Sequence, residues 1–128
     1  MIVFAVPAFD SFVEGTESVY TSSEVCELLA SVERLCVSVI VAGSTGTGQT
    51  LTCQFENSPD GTRWINQSST PELNAVVLDG GNQVFEFMNS DNAVIQGYVR
   101  LRLALGGTSP AAVLRVRIVG RCPAGPYI

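Results

Sequence analysis

The chain has 128 residues, 46% of them hydrophobic and only 15% charged, with a net charge of −5; an average soluble domain carries about 25% charged residues. A chain of this size and apolarity can bury enough surface to fold as one domain without disulfides or metals, and its composition excludes disorder. It has no histidine and no lysine, so all seven basic residues are arginines, which excludes Ser-His-Asp triads, Cys-His pairs, zinc-protease helices, phosphate-loop lysines and Schiff-base lysines.

Seventeen valines and 12 glycines favour half-buried strands joined by tight turns, and an all-β antiparallel sandwich is expected. Residues 1–15 read as an apolar N-terminal arm that either closes its own sandwich or lies across a neighbour, with Phe4, Phe9 and Phe12 as the partner contacts in the second case. Met1 to Phe9 lacks a basic leader region and is broken by Pro7, so it does not read as a secretion signal. Residues 16–121 are expected to form the sandwich. Within them Thr21 to Leu35 has two readings. Val25, Leu28, Leu29 and Val32 have helical spacing behind a Thr21-x-x-Glu24 capping box, and Ser22 to Leu28 also reads as an edge strand.

From Arg34 the chain alternates, with Leu35, Val37, Val39 and Val41 on one face, which predicts a central strand. Gly43 to Gly48 then reads as a reversing turn, with Leu51, Cys53 and Phe55 inward on the returning strand and Thr52, Gln54 and Glu56 outward. Ser58-Pro-Asp-Gly61 is a second turn, with Pro59 preset for the first corner and Gly61 free to take positive φ. Further strands are predicted at Thr62 to Asn66, Leu73 to Leu78, Asn82 to Met88, Tyr98 to Leu105 and Ala111 to Arg121, with Gly106 to Pro110 turning between the last two. Those last two strands would then be neighbours, with Arg100, Arg102, Arg115 and Arg117 forming one outward arginine ladder that Glu56, Glu86 or a partner must compensate. Residues 122–128 read as a C-terminal arm, with Tyr127 as a contact.

Charge is segregated: residues 1–33 hold six acids and no base, and everything from Asn92 onward holds five arginines and no acid. Either acidic and basic strands neighbour each other within the domain, or opposite patches join subunits. The acidic balance and the lack of lysine argue against a nucleic-acid partner. No apolar run reaches the ~20 residues that span a bilayer, so no membrane partner is expected. Cys26, Cys36, Cys53 and Cys122 contain no C-x-x-C pair and are expected as reduced thiols rather than metal ligands.

Candidate sites are few. Glu56, Glu86, Asp60, Asp79 and Asp91 are the carboxylates available for glycoside hydrolysis, but the three aspartates sit in turns, where they bond local backbone. Trp64, with Tyr20, Tyr98 and Asp60 beside it, is the alternative ligand-binding group, a sugar-stacking platform of a carbohydrate-binding sandwich. No catalytic residue, metal or cofactor is assigned.

The stretch Leu51-Thr-Cys-Gln-Phe-Glu-Asn-Ser-Pro-Asp-Gly-Thr-Arg-Trp64, preceded by Val37 to Val41 and a Gly/Thr turn, resembles a strand-turn-strand of small β-sandwich virion proteins of tailed bacteriophages that decorate or cement heads. Ser58 to Trp64 is also similar to the sialidase Asp-box, S-x-D-x-G-x-T-W, but is one residue short and unrepeated. The virion resemblance implies a jelly-roll-like sandwich on the capsid surface, a homotrimer or other homo-oligomer, that binds the major capsid protein without catalysing a reaction. The expected function is therefore a capsid decoration or cement protein assembled in the host cytoplasm; a carbohydrate-binding module or a neck or tail component is the alternative.

Overall fold

The computed structural model describes residues 2–21, 34–66, 71–88 and 98–122. Within them the chain is all-β: β1 (Ile2–Glu14), β2 (Val19–Tyr20), β3 (Arg34–Ser58), β4 (Ile65–Asn66), β5 (Leu73–Val77), β6 (Asn82–Met88) and β7 (Tyr98–Cys122). All pairings are antiparallel. The helix-or-strand question over 21–35 falls on residues that lie, apart from its ends, outside the described ones.

The backbone of the fold is a ribbon of two 25-residue strands, β3 and β7, paired from Arg34↔Arg121 to Ser58↔Tyr98. Here the structure corrects the sequence. Gly43 to Gly48 and Gly106 to Pro110 are not hairpin turns that pair the segments on either side of them; they lie opposite each other, at Thr45↔Ala111, Thr47↔Thr108 and Thr50↔Gly106, where the ribbon's register shifts three times. Extra residues in a ladder bend it, and both glycine segments bend together. The approach there is close: a Cβ on Gly107 would sit 2.7 Å from the Gly48 carbonyl oxygen, and one on Gly46 3.0 Å from the Ser109 carbonyl oxygen. Both glycines have φ above +100°, a region open to glycine and strained for other residues.

The bend divides the seven-stranded sheet into two faces of a sandwich. On one side β1, the second half of β7, the first half of β3, and β6 lie in that order. On the other, β2 flanks the first half of β7, and β4 and β5 share the outer edge of the second half of β3. Residues 2–14 therefore close their own sheet, paired to β7 with a bulge at Pro7/Phe9. Alternation sets the core as the pattern predicted: Val37, Val39, Val41, Leu114 and Ile118 from the first sheet face Leu51, Phe55, Val99, Leu101 and Leu103 from the second, all fully buried. Burying such side chains contributes about 2 kcal/mol each. Phe55 and Phe87 join the two sheets edge to face, with ring centroids 5.7 Å apart.

The edge of β3 between β4 and β5 is completed by a side chain. The Phe55 N–H donates to Glu72 Oε2 at 3.0 Å. At the neighbouring bulge Thr52 Oγ1 accepts from the Ala75 N–H at 3.1 Å.

Candidate functional site

The arginines expected as one ladder form two pairs on opposite outer faces, because they belong to the two halves of one bent strand. Arg100 and Arg102 lie on the outside of the second sheet, and Arg115 and Arg117 on the outside of the first.

Around Arg100 the outer face is closely built. Its Nε donates to Glu56 Oε1 at 2.7 Å, and its guanidinium carbon lies 3.8 Å from the Tyr20 ring centroid and 4.2 Å from that of Trp64, within cation–π range. Arg102 approaches the other Glu56 oxygen at 3.9 Å, donates to Gln54 Oε1 at 3.0 Å and to Ser18 Oγ at 3.4 Å. Glu56 is thus the compensating carboxylate, shared by two cations. Gln54 and Glu56 point outward as alternation requires, yet are 3% and 8% exposed, since the arginine and aromatic side chains cover them. Trp64 is half-buried, with Arg100 over its ring.

Asp60 is spent in its turn. Its Oδ1 accepts from the N–H groups of Thr62 at 2.8 Å and Arg63 at 3.0 Å and from the Ser58 hydroxyl at 3.0 Å. Those bonds, led by the Arg63 and Thr62 amides, hold its carboxyl below the usual carboxylate range. Asp79 likewise accepts from the Gly81 N–H at 2.8 Å; Glu86 is exposed on β6, and Asp91 lies outside the described residues. Among the described residues no group of three Cys, Asp or Glu side chains gathers as metal ligands. Cys36 and Cys53 are free thiols.

The outer face of the first sheet differs in kind. Cross-strand rows run Val84, Ile40, Arg115, Asp10 and then Glu86, Ser38, Arg117, Pro7. Phe12 is 61% exposed, Val84 61%, Met88 47% and Ile40 38%. Between the β7 and β1 side chains runs a groove of about 320 Å³ lined by Pro7, Phe9, Asp10, Ile40, Arg115 and Arg117. Arg115 reaches Asp10 at 3.5 Å, an acidic strand beside a basic one within the domain. This face gathers Phe12, Arg115 and Arg117 of the expected contact residues; Phe9, opposite buried Val116, packs against the core. Phe4 lies on β1 opposite Gly120, and Tyr127 lies outside the described residues. The Glu56-centred cluster escaped the sequence reading as a unit, since its parts come from four separated stretches of chain.

No protein-family profile matches the chain, and no curated protein matches it. Solved structures do. A chain of infectious bursal disease virus, Gx strain, superposes with a TM-score of 0.62 at 12% identity, over 98% of this chain and 33% of that one. The VP2 subviral particle of the same virus gives 0.56 at 11%, over 94% and 33%. The CBM22-1 xylan-binding domain of Paenibacillus barcinonensis Xyn10C gives 0.51 at 12%, over 95% of both chains. This chain spans about a third of the length of the virus chains it matches. At these identities the likeness is one of fold: an antiparallel, jelly-roll-like sandwich shared by virus coat chains and a carbohydrate-binding domain.

Proposed function

We propose that this chain is a non-enzymatic structural protein of a virus particle, of the tailed-phage decoration or cement type, that binds the major capsid lattice and copies of itself at the capsid surface. The observation that carries the reading is the outer face of the first sheet, where exposed Phe12, Ile40, Val84 and Met88 are interspersed with Arg115 and Arg117. Aromatic residues, methionine and arginine are enriched at protein interfaces, and exposed apolar side chains gathered on one sheet face point to a partner. The fold likeness to virus coat chains supports the same reading. The test is occupancy on particles that carry the wild-type chain. The Arg115→Glu/Arg117→Glu variant is expected to load at about one tenth of the wild-type level or less, through reversed electrostatics at the contact, with its thermal midpoint unchanged because both side chains are exposed. Equal loading overturns the reading.

A second reading, a carbohydrate-binding module, is favoured by the end-to-end match to the xylan-binding domain and by Trp64 and Tyr20 on one face. It predicts retention on immobilised xylan that Trp64→Ala abolishes; a wild-type chain that runs through such a column unretarded ends it.

A further inference from the structure

We infer that the outer face of the first sheet is self-complementary and pairs two copies of this chain about a two-fold axis lying along β3; this rests on the interface reading above and names the partner at that face. The face is asymmetric across β3. On one side β6 stands as a ridge, with Val84 and Met88 61% and 47% exposed and Glu86 between them. On the other side, over β7 and β1, lies the groove of about 320 Å³. Ile40 and Ser38 of β3 run between ridge and groove.

A two-fold axis in the plane between two stacked sheets, parallel to β3, reverses left and right while preserving position along the strand. It sets the β6 ridge of each copy over the groove of the other and places Ile40 against Ile40. Two-fold contacts of this kind are isologous, so each residue pair occurs twice. Aligned packing, with strand directions within about 30°, is the common way for sheets to stack.

Charge fixes the register. Glu86 and Arg117 flank Ser38 in one cross-strand row. Within one copy they stand two strand spacings apart, about 10 Å, and point the same way; neither makes an ion pair or side-chain hydrogen bond among the described residues. Across the two-fold they point at each other from sheets about 10 Å apart, a gap that glutamate and arginine span together. The axis thereby makes two Glu86–Arg117 pairs from four side chains that have no partner among the described residues of the single chain. Four strands about 4.8 Å apart and about 25 Å long present roughly 500 Å² a side, and the total of about 1,000 Å² meets the lower limit for a specific interface.

The experiment is the solution mass of four chains by light scattering and sedimentation at equal concentration: wild type, Glu86→Arg, Arg117→Glu and the double exchange Glu86→Arg/Arg117→Glu. Wild type is expected at twice the chain mass of 13.6 kDa. Each single reversal faces like charge with like and weakens the pair about tenfold or more; the double exchange restores opposite charges and returns the mass to the wild-type value. Both positions are solvent-exposed, and circular dichroism with thermal midpoints checks that every variant is folded. A monomeric wild type overturns the inference, as does a double exchange that stays as weak as the singles, or single reversals that leave the mass unchanged. The capsid reading is judged separately: particle loading that fails with Arg115→Glu/Arg117→Glu while wild type is monomeric keeps the lattice role and removes the self-pairing, and a charge-swappable dimer that no particle takes up does the reverse.

Discussion

Gly107→Ala is expected to destabilise the protein by about 3 kcal/mol, while Gly48→Ala, on the facing strand, costs about 1 kcal/mol. The two substitutions add the same methyl group at the same bend. At Gly48, φ is +63° and nothing lies within 4 Å of the new Cβ, so the cost is that of a left-handed conformation alone. At Gly107, φ is +104° and the Cβ meets the carbonyl oxygens of Gly48 and Thr47 at 2.7 and 2.8 Å. Those oxygens are backbone atoms of β3, so relief requires the two long strands to separate where they bend. Urea denaturation at 25 °C of both variants checks the difference; equal losses would show that the strands are not in close contact there.

The second large effect is alkaline. Burial, with a smaller contribution from the Glu72 carboxylate and against the pull of Arg102, pushes the Cys53 thiol from 9.0 up to about 12. Above pH 9 the unfolded chain releases this proton and the folded chain keeps it, so the unfolded state binds fewer protons and stability falls as pH rises. The expected slope is about −1.4 kcal/mol per pH unit between pH 9 and 12, and zero from this group below pH 9. Cys53→Ala starts lower because it leaves a small void, but its stability declines less steeply over that window. Tyrosine ionisation is common to both chains and cancels in the comparison. Parallel slopes for wild type and Cys53→Ala between pH 9 and 11 would mean that the thiol is reached by water in the folded state.

Much of the architecture was legible because it rests on local rules. Alternation placed Val37, Val39 and Val41 inward, and Leu101, Leu103, Leu114 and Ile118 likewise; β6 falls on the predicted Asn82 to Met88, and the Ser58–Gly61 turn forms with the side-chain bonds its residue types favour. The bend was not legible. A glycine run with positive φ is the same signal for a hairpin reversal as for a paired bulge, and the distinction depends on Gly106 to Pro110, some sixty residues further along the chain. Reading two reversals produced one arginine ladder; the bent strand makes two clusters. Glu56 was among the expected counter-charges for arginine, and it serves Arg100 and Arg102. The contacts of Arg100 with Tyr20 and Trp64 carry no local sequence signal, since each is a meeting of residues from different edges of the sheet. The outer face of the first sheet was legible only in pieces, as Phe12, Arg115 and Arg117, and needed the β6 side chains beside Ile40 to become a surface.

The shared ribbon also sets how this domain must be made. Because β3 and β7 each run through both sheets, neither sheet holds a complete set of strands until the two have met along their length. Every pairing between them joins residues dozens of positions apart, so the entropy of closing a long loop is spent before any of that contact is gained. Folding is accordingly slow for a chain of this length and proceeds without a half-sandwich that can stand alone. During synthesis β3 waits with its apolar face uncovered until the last quarter of the sequence emerges, which makes the nascent chain, rather than the finished domain, the form most exposed to aggregation.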